Sequence, residues 1–102
     1  VPYIKEDSRK LLDECIESMV ECFIHGNNLS DEEFLQIAGE LNYAFSRILS
    51  GCIGSVSYKK IAVSTGVLEN IKQEFYRRVA VPYEEKKIIE NGDIKEYLKM
   101  KN

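Results

Sequence analysis

Apolar residues recur at three- and four-residue intervals along most of this chain, the spacing that places them on one face of a helix. Leu12, Cys15, Ile16, Met19, Val20 and Phe23 form the first stripe. Asp7 or Ser8 is suited to cap its start. Gly26-Asn27-Asn28 is suited to end it, because glycine and asparagine tolerate the left-handed conformation at a helix terminus. Ser30-Asp31-Glu32-Glu33 then has the form of a capping box, in which Ser30 accepts from the amide of Glu33 while Glu33 reaches back. The helix it opens carries Phe34, Leu35, Ile37, Ala38, Leu41, Ala44, Phe45, Ile48 and Leu49. Gly39 lies inside that pattern and is expected either to divide the run or to admit a close helix neighbour.

Residues 50–57 (SGCIGSVS) are the clearest break and read as a turn. A third helix is expected from near Ser57 to about Ala80, with Ile61, Leu68, Ile71, Phe75 and Val79 as its stripe. Its weak point is residues 62–66 (AVSTG), poor in helix formers and open to a strand reading that has no evident partner. Pro82 is expected to end or kink this helix, lacking an amide and clashing with the preceding turn. It equally suits the first turn of a fourth helix over 83–90, which Asn91-Gly92 stops. Asp93 is placed to cap a last short helix over 94–100, and residues 1–5 read as an extended arm. The pattern predicts one all-α domain over residues 1–102, a small bundle of about four helices.

Composition narrows what such a bundle does. A chain of 102 residues is 44% apolar, ordinary for a folded domain, and has room for one. Its formal net charge of −3 argues against nucleic-acid binding through phosphate neutralisation, although Lys59, Lys60, Arg77 and Arg78 give local basic pairs. Cys15 and Cys22 would stand about 10.5 Å apart along a helix, too far for a disulfide, and no C-x-x-C spacing occurs. Three reduced thiols, at least two of them behaving as small core hydrophobes, point to the cytoplasm. No apolar run approaches the length of a membrane span.

Few residues carry recognisable chemistry. His25, the sole histidine, falls at a helix end where its charge would meet the dipole. Glu40, Glu69 and Glu74 are the candidate carboxylate ligands, since helical bundles hold Mg²⁺ or Mn²⁺ through oxygen donors on facing helices. Glu69 and Glu74 are five apart, so they do not share a face of their helix. Glu74 is also spaced to pair with Arg77 and Arg78. Tyr76, Arg77, Arg78 and Tyr83 combine the residue types enriched at protein interfaces and are the candidate contact residues of a homodimer or of a complex with a protein partner.

Three blocks carry a resemblance: PYIKEDSRK at 2–10, GELNYAFSRIL at 39–49, and GVLENIKQEFYRRVAVPYEEKKIIENGD at 66–93. They are similar to a domain-of-unknown-function family of small bacterial, archaeal and phage proteins. The resemblance covers about half of the chain and implies no mechanism. Residues 26–37 look longer than the family pattern, and the tail from 94 runs past its end. A second similarity, to all-α nucleoside triphosphate pyrophosphohydrolases, rests on the GELNYA-type helix followed by a glutamate-rich one. It implies metal binding by Glu40, Glu69 and Glu74 and a phosphate contact by Arg77 or Arg78. The paired E-x-x-E motif of those enzymes is missing. The expectation is therefore a non-enzymatic interaction module that forms homo-oligomers, with a metal-dependent nucleotide hydrolase as the alternative.

Overall fold

The structure, a computed structural model, describes residues 3–100. It is all-α, as the periodicity predicts, with no strand among the described residues. The chain divides into two compact units, Val1–Ser55 and Val56–Asn102.

In the N-terminal unit a 3-10 turn, Glu6–Ser8, leads into helix α1, Lys10–Ile24. Of the expected arm, Val1 and Pro2 lie outside the described residues, and Lys5 is extended. Neither Asp7 nor Ser8 caps α1. The amides of Ser8 and Arg9 already donate to the carbonyls of Lys5 and Glu6, both at 3.0 Å, so the chain is turning before the helix starts. Arg9 therefore stands at the cap position in a helical conformation, and its Nε donates to the carbonyl of Ile4 at 2.9 Å. The far end closes one residue earlier than glycine would suggest. His25 takes the left-handed conformation (φ 49°), which costs a non-glycine residue roughly 1–2 kcal/mol, and its amide donates to Glu21. Gly26 continues the reversal at φ 76°.

Helix α2, Asp31–Ile53, opens with both halves of the capping box formed. The amide of Glu33 donates to Ser30 Oγ at 3.2 Å, and the amide of Ser30 donates to Glu33 Oε1 at 2.9 Å. Gly39 does neither of the two things expected of it. The helix runs through it unbroken, and a Cβ there would meet no atom within 4 Å. α2 also absorbs the first half of the serine- and glycine-rich break, which contracts to residues 54–57 with Gly54 at φ 65°. Phe23, Ile24, Leu29, Ile37, Leu41 and Ala44 are half-buried where α1, the connection and α2 meet.

The C-terminal unit is built on helix α3, Tyr58–Phe75, which starts where expected and is capped by Ser57, whose Oγ accepts from the amide of Lys60 at 3.2 Å. The strand reading of residues 62–66 does not hold. They are helical, and Thr65 Oγ1 bonds back to the carbonyls of Ile61 and Ala62 at 3.1 and 3.0 Å. Such back-bonding keeps a hydroxyl satisfied without leaving the helix.

Pro82 stands in the first turn of a fourth helix, one of the places it suits, and the helical run does not stop before it. Between α3 and helix α4, Val81–Asn91, the backbone widens into a π turn, Tyr76–Ala80, in which the amide of Val81 donates to the carbonyl of Tyr76. Proline can supply neither an α-type bond to the carbonyl of Arg78 nor a π-type bond to that of Arg77, and its ring needs room in the turn before it. A wider turn gives that room while the chain stays helical. Gly92 (φ 86°) then stops α4, and Asp93 Oδ1 accepts from the amide of Ile94 at 2.8 Å ahead of helix α5, Lys95–Met100.

Candidate interaction surfaces

The stripes that periodicity assigns to a core are uncovered. No described residue in either unit is buried. On α1, Leu12, Ile16, Met19 and Val20 expose 40–54% of their surface, and on α2, Phe45 exposes 61%. On α3, Ile71 and Phe75 expose 61% and 64%. The thiols of Cys15, Cys22 and Cys52 are free and exposed as well, so the expectation that at least two sit in a core is corrected. Helix formation and helix coverage are separate questions, and periodicity answers only the first.

Two open grooves lie in the N-terminal unit. One, of about 500 Å³, is walled by Val20, Phe23, Leu29, Phe34, Ile37 and Leu41. The other, about 310 Å³, runs beside Met19, Tyr43, Ala44, Arg47 and Ile48. At its rim the Arg47 guanidinium stands 5.8 Å from the centre of the Tyr43 ring and donates to its hydroxyl at 3.5 Å. Their linings are mostly apolar, with Asn27 and Asn28 in the first and Arg47 in the second, which suits the side chains of another helix better than a charged small molecule.

The four candidate contact residues of the C-terminal unit gather at the π turn. Tyr76, Arg77 and Arg78 belong to it, and Tyr83 follows one turn later. The Tyr76 hydroxyl donates to Glu84 Oε1 at 3.0 Å. That bond, then the negative charge of Glu84, desolvation and the nearby Tyr97 phenol, pushes the Tyr76 hydroxyl above its ordinary pKa. Arg77 Nη2 pairs with Glu74 Oε1 at 2.5 Å, and the Lys87 ammonium lies 5.5 Å from the Tyr83 ring centre. Glu84 and Lys87 escaped the sequence reading. Tyr76 and Glu84 are eight apart, outside the three- and four-residue spacing at which helix neighbours are sought, and the π turn alters that spacing.

The candidate metal ligands are distributed over both units. Glu40 lies on α2, whereas Glu69 and Glu74 lie on α3. Glu69 stands 3.9 Å from Lys72, and Glu74, with a side chain only 19% exposed, is held by Arg77. Among the described residues no group of three or more His, Cys, Asp or Glu side chains is arranged to hold a metal ion. None of their helices is long and apolar enough to cross a membrane.

Residues 1–94 match the family described as a domain of unknown function, DUF6899. The chain belongs to that family. The DUF6899 span takes in the apolar stripes of α1, α2 and α3, the capping box and the whole π turn. It stops just before α5, so that helix lies beyond it. No curated protein and no solved structure matches the chain.

Proposed function

We propose that this DUF6899 chain is a non-enzymatic helical interaction module that works as a homo-oligomer. One observation carries the reading: its helices are amphipathic, yet no described residue is buried. Ordering a residue costs about 1.5 kcal/mol of conformational entropy, and a small scaffold without a covered core has little to offset that cost. Association supplies the missing coverage. The grooves beside α1 and α2 and the tyrosine- and arginine-rich π turn, with Tyr76, Arg77, Arg78 and Tyr83, are the surfaces we assign to it. The three free cysteines support a reducing compartment, the cytoplasm, as its place of action.

Folding and assembly are then one process, and stability depends on protein concentration. Sedimentation velocity combined with thermal unfolding, over roughly 1 to 100 µM protein, tests this. The expected result is a multimeric mass and a Tm that climbs with concentration. A monomer at the top of that range with a constant Tm would refute the proposal.

A further inference from the structure

Charge is divided between the two units far more unevenly than the net value of −3 suggests. The N-terminal unit, Val1–Ser55, contains ten acidic and four basic residues, a net −6. The C-terminal unit, Val56–Asn102, contains seven acidic and ten basic residues, a net +3. Both present uncovered apolar stripes: Leu12, Ile16 and Phe45 in the first, Ile61, Ile71 and Phe75 in the second.

We infer that the chain pairs with a second copy of itself reciprocally, the acidic unit of each protomer covering the basic unit of the other. The inference rests on the self-association proposed above and names its partner surfaces. A dimer that joined two acidic units would bring −6 against −6, and like charge held close opposes association. Crossing the units sets −6 against +3 twice over, and a two-fold axis makes both contacts the same. Apolar stripes then supply affinity, while charge selects which stripe meets which.

Salt separates the arrangements. Raising NaCl from about 50 to about 500 mM shortens the screening length from roughly 14 to roughly 4 Å. The reciprocal dimer should lose about tenfold in affinity over that range, whereas a dimer of like units should tighten. The second arm uses the full-length double variant Lys59→Glu with Lys86→Glu, two exposed positions that move the C-terminal unit from +3 to −1. Its dimer should be weakened at low salt and approach the wild type at high salt, with an unchanged helical circular dichroism spectrum. A dimer that tightens with salt, or that ignores the double variant, would overturn the reciprocal arrangement while leaving self-association intact. A monomer in both salts would overturn both.

Discussion

The two units reach helicity by different means. In the N-terminal unit a capping box sets the start of α2, and Phe23, Ile37 and Leu41, which line one groove, are half-buried. In the C-terminal unit, α3, the π turn and α4 form one continuous helical run across a proline, tied along its length by polar pairs such as Tyr76 with Glu84 and Arg77 with Glu74. The least exposed ionisable side chain among its ion pairs is Glu74. The first unit thus depends on what covers its apolar face. The second depends also on how its backbone accommodates one residue. Substitutions should separate these dependences.

The largest effect should come from charging the stripes. Ile16→Glu and Ile71→Glu, one in each unit, each remove a large apolar contact from the surface we assign to the dimer. Each should weaken association by about 30-fold or more, the scale of a hot-spot loss of ~2 kcal/mol. Sedimentation equilibrium measures it. An effect confined to one unit would break the symmetry that reciprocal pairing demands.

Pro82→Ala should come next, and it acts on the C-terminal unit alone. Restoring an amide and removing the ring should stabilise the α3–α4 run by about 1–2 kcal/mol, part of the ~3 kcal/mol that proline costs inside a helix, since the π turn already relieves some of it. Amide hydrogen exchange across residues 76–86 reports the gain. A loss of stability would mean that the π turn is held by its side chains rather than by the proline.

Ser30→Ala probes the N-terminal unit in the same way and should cost about 1 kcal/mol in chemical denaturation. Its pH dependence has a definite sign. Glu33 is held below the ordinary carboxylate pKa, first by the backbone bond from Ser30 and then by the Ser30 side chain. That stabilisation is complete above the ordinary carboxylate value and is lost as pH falls through the lowered one. In the Ser30→Ala variant the acid limb of the stability curve should flatten only in part, because the backbone amide of residue 30 still donates to Glu33.

The smallest effect belongs to Tyr76→Phe, which removes one exposed hydrogen bond and should destabilise only slightly. Here the sign is opposite. The Tyr76 pKa is raised, so its contribution is present below the ordinary tyrosine value and disappears as pH rises through the raised one. Alkaline titration of the wild type against Tyr76→Phe should show that difference.

Much of the fold was legible because helix starts are local. The Ser30 box needs only the residues within one turn and forms as read, and α3 starts near Ser57 as its stripe suggests. What was misread depended on more than a local signal. A 3-10 turn pre-empted the cap before α1, and His25 took the left-handed position ahead of Gly26. In each case a favourable residue met a backbone already committed to another path. The candidate surface was half legible. Tyr76, Arg77, Arg78 and Tyr83 do cluster, because nearness in sequence is nearness along a helix. Exposure of the stripes was not legible, since a periodic pattern looks the same whether its covering belongs to its own chain or to another.

The π turn also changes what an insertion or deletion means at this point of the chain. A helix advances about 100° per residue, so a wide turn that holds one residue more than an α turn sets α4 about 100° out of phase with an uninterrupted continuation of α3. Removing one residue from Tyr76–Ala80 would therefore let the run close as an uninterrupted α-helix with Tyr83 and Lys87 on their present bearing, whereas closing the turn with every residue kept would swing them by about 100°. The extra residue is thus taken up as slack, and both halves of the helix stay aimed as they would be without it.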